Sequence, residues 1–299
     1  MKLMMAVRLF GLMLLAFAAP AALQAQESAL GKDAREAAWQ AAGKALQRGP
    51  QQLLLRDQGQ LRLPEGYGFV PLAESRKLME VLGNTVGSKF IGLVFPVGRE
   101  GADWMLSIDY DPAGYIRDDD AREWNADDML DSLKKGTAAS NKQRIALGYP
   151  GLEITRWIEA PAWDAINQRL VWSVEARGIG AKPDEDTTAN YNTYVLGREG
   201  YFELNLITST SRIERYKPDA RTLLAAVSFN EGKRYADFKP DSDKVATYGL
   251  AALVGGVAAK KLGLLAALGL FLAKFAKVAV LAVAGVGSLA AKFLRGRKS

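Results

Sequence analysis

Asp109, Asp111, Gly114 and Asp120 fall at the first, third, sixth and twelfth positions of the loop pattern that wraps a calcium ion. Asp118 and Asp119 add two carboxylates, and oxygen donors of this kind suit a hard cation. The match is incomplete. Pro112 and Ala113 occupy the fourth and fifth positions, and an Asp replaces the bidentate Glu. No helix is expected just before the loop. A turn at a strand end, followed by an acidic run leading into a helix, fits better. The carboxylates would then favour the positive end of that helix. No metal ligand is assigned.

Paired carboxylates could also run glycoside hydrolysis, which needs two of them about 5–9 Å apart. Asp109, Asp118, Asp120, Glu153, Glu159, Glu175 and Glu203 are the candidates. Trp157, Trp163 and Trp172 would suit a carbohydrate or peptide groove, although such rings more commonly fill a core. Ser132-Leu133-Lys134-Lys135 matches the Ser-x-x-Lys nucleophile string, and Ser242-Asp243-Lys244 is a loose version of its companion. The third element, Lys-Thr-Gly, is missing, so a helix surface is the better account. The chain holds no cysteine and no histidine. That removes disulfides, thiol catalysis, Ser-His mechanisms and the usual zinc, haem and iron–sulfur ligands. No catalytic residue and no cofactor are assigned.

The elements that would position these groups occupy the middle of the chain. A helix is expected over 26–48, with Leu30, Ala34, Ala37, Ala38 and Ala41 on one side and Gly49-Pro50 as its stop. Leu53 to Leu63 reads as a hairpin about Asp57-Gln58-Gly59, and 72–82 as a short helix. Strands follow over 90–97 and 103–110. In the second, Trp104, Leu106, Ile108 and Tyr110 alternate with Met105, Ser107 and Asp109, a half-buried pattern. Asn125 can cap a long helix, with Asp127 and Asp128 in its first turn. Strands over 152–159, 170–177, 191–196 and 201–208 come next, the last two joined by Gly197-Arg198-Glu199-Gly200. A Gly/Pro/Asp-rich loop over 177–189 is expected to be mobile. A helix near Pro218 closes the domain, and an irregular linker follows. The pattern predicts an α+β fold, a largely antiparallel sheet with helices on one face, plus a C-terminal hydrophobic helical membrane anchor.

The two ends read differently. Residues 1–25 carry Lys2 and Arg8 ahead of an apolar run, as a signal peptide does. Overall charge is +6, but residues 248–299 hold eight basic residues and no acid. Residues 26–247 are therefore mildly acidic, which argues against nucleic acid as a partner. Residues 278–294 form the cleanest apolar block, about 25 Å long as a helix, near the short limit for a bilayer core. The block before it is long enough to span, yet Lys260 and Lys261 fall at its middle, so it reads as interfacial or hairpin-forming. One crossing, with the basic tail in the cytoplasm, satisfies the positive-inside rule. The division is a signal peptide over 1–25, a domain over 26–232, a linker over 233–247 and an anchor with a basic tail over 248–299.

Several strings are familiar together: Leu63-Pro64-Glu65-Gly66-Tyr67, Gly114 to Ala121, Asn190-Tyr191-Asn192 with Leu196 to Gly200, Arg234 to Phe238, and Asp243 to Leu253. In this order they resemble a family of uncharacterised, predicted membrane-anchored bacterial proteins, catalogued as a domain of unknown function. The resemblance implies a periplasmic domain held to the inner membrane by its C-terminus, and transfers no activity. The expected function is a non-catalytic envelope binding or interaction module. Its partners would be membrane lipid, through the anchor, and an envelope protein or glycan. The alternative is a carboxylate-dependent hydrolase of cell-wall or glycan material.

Overall fold

The computed structural model describes residues 21–255, apart from 83, 85, 123, 147–150 and 183–186. Residues 1–20, most of the expected signal peptide, lie outside the described residues, as does the expected anchor beyond 255. Among the described residues no helix is long and apolar enough to cross a membrane.

The chain opens with α1 (Ala21–Lys44), β1 (Gln47–Arg48), β2 (Gln51–Leu55), β3 (Gly59–Leu63), β4 (Tyr67–Pro71) and α2 (Leu72–Val81). It continues through β5 (Phe90–Pro96), β6 (Met105–Asp111) and α3 (Ala126–Ala146). Then come β7 (Leu152–Asp164), β8 (Arg169–Gly178), β9 (Thr188–Leu196) and β10 (Tyr201–Ser209). Last are α4 (Ile213–Ala226), β11 (Val227–Phe229) and α5 (Ala252–Gly255). Eight strands form one sheet, ordered β1-β4-β5-β6-β10-β9-β8-β7, and every neighbouring pair is antiparallel. A three-stranded sheet, β11-β3-β2, lies apart from it.

The sequence patterning accounts for much of this. Asn125 caps α3 as expected, its Oδ1 accepting the Asp127 and Asp128 N–H groups at 2.8 and 3.1 Å. β2 and β3 form the expected hairpin, as do β9 and β10. Two readings need correction. α1 buries Ala38, Trp39 and Ala42, whereas Ala34 and Ala37 are exposed. Trp39 decides the inward face, because its ring packs edge-on against Phe95 at 5.7 Å. The helix expected near Pro218, α4, starts at Ile213, five residues earlier, and carries that proline inside it.

The larger correction concerns the faces of the sheet. Helices cover both, not one. On the first face Trp104, Leu106, Ile108, Tyr191, Phe202, Leu204 and Leu206 pack against α4 and the three-stranded sheet. On the second face α1 and α2 cover the β4–β5 side through Phe90, Leu93 and Met79. There α3 and α5 cover the β7–β9 side through Trp172, Tyr194, Leu133 and Leu250. Ser107 and Asp109, read as the solvated side of β6, are therefore buried. A polar residue on an alternating strand predicts which face it occupies, not whether that face is wet.

Candidate functional site

The calcium template does not form. Asp120, its twelfth position, accepts the backbone N–H of Leu250 at 3.1 Å and of Ala251 at 3.0 Å. The Tyr115 carbonyl, which the template would use as a ligand, accepts the Ala246 N–H at 2.8 Å. Asp111 accepts from the Tyr201 hydroxyl at 3.0 Å and pairs with Lys89. Asp118 accepts the Trp163 indole N–H at 3.1 Å. Among the described residues no three acidic side chains are grouped to hold a metal ion.

These same residues instead build a clasp around residues 233–255. Tyr115 donates its backbone N–H to the Lys244 carbonyl at 2.8 Å and bridges Val245 in parallel register. Its ring is sandwiched between Tyr235 and Phe238, with centroids at 4.4 and 3.8 Å. The Tyr235 hydroxyl donates to the Ile116 carbonyl at 2.8 Å. Burial raises the phenol pKa of both Tyr115 and Tyr235, so both stay neutral. Two close approaches require glycine. Gly114 sits at φ +101°, where a Cβ would stand 2.6 Å from the Lys244 carbonyl oxygen, and a Cβ on Gly249 would stand 2.4 Å from Asp120.

The β9–β10 turn supplies the other jaw. Arg198 holds Asp243 with a bidentate pair, Nε to Oδ2 and Nη2 to Oδ1, each 2.6 Å. The guanidinium keeps the Asp243 carboxyl well below the usual carboxylate range. Arg198 also donates its backbone N–H to the Lys233 carbonyl, and Lys233 Nζ reaches Glu199 at 2.7 Å. The Glu199 carbonyl accepts the Gly114 N–H at 3.0 Å, joining the two jaws. The segment expected to be an irregular linker thus has little regular structure and is held at many points. Beyond it, Leu250 and Val254 are buried in the core with Tyr194 and Trp172. Four of the strings that carried the resemblance meet here: Gly114 to Ala121, Leu196 to Gly200, Arg234 to Phe238 and Asp243 to Leu253.

Of the carboxylates considered for hydrolysis, one pair comes together. Asp109 on β6 and Glu203 on β10 are directly opposite in register. Such neighbours have Cβ atoms about 4.5–5.5 Å apart. Both are buried, 3% and 7% exposed, so a glycan has no open path to them. The others are engaged elsewhere. Glu153 pairs with Arg177, and Glu175 with Arg156, each at 2.6 Å. Glu159 accepts from Arg221 and from the Tyr191 hydroxyl. The tryptophans do not line a groove together: Trp172 is buried against Trp157, whose indole donates to the Ala126 carbonyl at 3.0 Å. Ser132 and Lys135 lie on α3, Lys135 exposed, with Leu133 between them in the core.

Sequence reasoning passed over Arg198 as a clamp and Tyr115 as the filling of a stack. It also passed over a polar band on the second face, in which Ser107, Asn192 and Asn205 adjoin the Asp109–Glu203 pair. A signal existed for the band: Ser107 and Asp109, Glu203 and Asn205, and Asn190 and Asn192 each recur at a spacing of two residues on strands that are otherwise apolar.

A family model described as a protein of unknown function, DUF2167, matches residues 47–286. The chain belongs to the DUF2167 family. The matched range starts at β1 and contains the whole clasp. No curated protein matches the chain. Among solved structures, the DUF2167 chain is similar to the solution structure of cyanobacterial PsbP (CyanoP) from Synechocystis sp. PCC 6803. Sequence identity is 14%, the alignment covers 62% of this chain and 93% of that one, and the TM-score is 0.36.

Proposed function

We propose that the protein is a non-catalytic envelope binding module whose folded domain is tethered to the inner membrane through the chain beyond residue 255. The domain faces the periplasm after export, and the basic tail stays in the cytoplasm. The clasp is the observation that carries this reading. A tether transmits position only if its root is fixed, and here residues 243–251, which include the start of the apolar stretch, are fixed by Arg198, Tyr115 and Asp120. The eight cations and absent acids of residues 248–299 supply lipid attraction and orientation.

Fractionation tests the reading. The full chain is expected in the inner membrane and resistant to carbonate, and a chain ending at Gly255 is expected in the periplasmic soluble fraction. Retention of the shortened chain in the membrane would refute the tether.

A further inference from the structure

Among the described residues four strands stand at the ends of the two sheets: β1 and β7 in the larger, β11 and β2 in the smaller. An end strand offers unpaired N–H and C=O groups to any other strand, so proteins usually blunt it. Three of these four are blunted. β1 has two residues and β11 has three. β7 is longer, but it carries Glu153, Arg156, Glu159, Asp164 and Pro161, and its pairing with β8 shifts register between Ile154 and Ala162. β2 has none of these devices. Its five residues, Gln51-Gln52-Leu53-Leu54-Leu55, hold no charge and no proline, and they pair with β3 in unbroken register.

The outer face of β2 carries an apolar side chain among amides. Leu53 and Leu55 are buried in the core, whereas Leu54 is 75% exposed. Gln60 on β3 stands directly across from Leu54, and Gln52 donates to Gln60. Arg62 stands across from Gln52, on the side away from the free edge. Arg56, the residue after β2, is turned aside: its guanidinium donates to the Ser88 carbonyl and lies over the Tyr110 ring. A like edge can therefore approach without charge repulsion. Two identical antiparallel edges pair about a two-fold axis, which closes the assembly at two copies. An axis through Leu53 gives all five residues a partner. Gln51 then faces Leu55 of the second copy, Gln52 faces Leu54, and Leu53 faces its own counterpart. Each outer row reads Gln60, Leu54, Gln52, Arg62 across the join, so the two Arg62 side chains lie on opposite sides of it.

We propose that the protein self-associates through β2, two copies joining their three-stranded sheets into one of six strands, with Leu54 of each copy covered by Gln52 of the other. Five paired residues bury less than the roughly 800 Å² per partner of a stable interface, so the association is weak and reversible. The proposal goes beyond the tethering reading and does not depend on it, since only the folded domain takes part.

The chain contains no cysteine, which makes engineered pairs unambiguous. Full-length Gln52→Cys and full-length Leu54→Cys are mixed and oxidised. The pairing sets these positions opposite each other, with Cα atoms about 4.5–5.5 Å apart and within the range of a disulfide. The mixed dimer is expected to form at least several-fold faster than Gln52→Cys joins to Ile166→Cys, whose residue on the β7–β8 turn is 87% exposed and measures random collision. A rate no greater than that control overturns the proposal and leaves the edge to a strand of another protein. Sedimentation of the cysteine-free full chain checks the same claim. Its average mass should rise with concentration, and Leu54→Lys should weaken the association about tenfold or more, because a two-fold interface contains each substitution twice. Leu54 is exposed in the single copy, so the thermal midpoint of Leu54→Lys should stay within about 2 °C of the parent, which separates lost pairing from lost folding. A constant monomer mass, or association that Leu54→Lys leaves unchanged, contradicts the pairing.

Discussion

Asp120 holds two consecutive backbone N–H groups, 130 residues away in the chain, at 3.1 and 3.0 Å. This is the work of an N-cap residue performed from outside the helix, because α5 begins one residue later at Ala252. Asp120→Ala is therefore expected to destabilise the domain by roughly 1–2 kcal/mol in urea unfolding, with Asp120→Asn losing less because its amide oxygen still accepts. Asp119, one position earlier, is exposed, and Asp119→Ala should stay within about 0.5 kcal/mol of the parent. Equal losses at the two positions would mean that the acidic run acts through its overall charge. The acidic run was legible in the sequence as a turn entering a helix. That one of its members caps a different helix was not, because a cap is recognised by sequence adjacency and this one acts across the fold.

At the scale of elements, the strands and α3 were legible and the cover of the sheet was not. Periodicity located β6, β9 and β10, and Asn125 marked the start of α3, since both signals are local. Ser107, Asp109, Glu203 and Asn205 suggested water on one side, because alternation fixes direction and leaves burial to whatever packs above. The segment after β11 was legible only as irregular. Its order comes from Tyr115 between two rings and from Arg198 on Asp243, contacts spanning 45 residues or more. Tyr115→Ala should loosen that segment without unfolding the sheet, so trypsin is expected to cut at Lys233, Arg234 or Lys244 several-fold faster than in the parent. Unchanged cleavage would show that the stack contributes little. The Arg198–Asp243 clamp carries a sign as well. Its depressed carboxyl pKa gives stability that is present above about pH 4, the ordinary Asp range, and is lost as pH falls below it.

Across the whole molecule, burial sets the response to alkali. Desolvation pushes the phenols of Tyr191 and Tyr248 up to about 12, and those of the more deeply buried Tyr194 and Tyr201 well above 10. Between about pH 10 and pH 12 the unfolded chain gives up these protons and the folded one keeps them, so stability falls as pH rises. Phenolate absorbance should therefore rise in two steps, the second coinciding with loss of circular dichroism. A single step near pH 10, with the fold intact, would contradict the burial of these rings. The core that shields Tyr194, Tyr201 and Tyr248 also contains Leu250 and Val254, which makes residues 250–254 part of the domain. Hydrogen exchange at the Leu250 and Ala251 amides of the full chain tests that claim most directly. Protection comparable to the amides of β10, lost selectively in Asp120→Ala, is the predicted result. Exchange in the unaltered chain as fast as that of an unstructured peptide would contradict it.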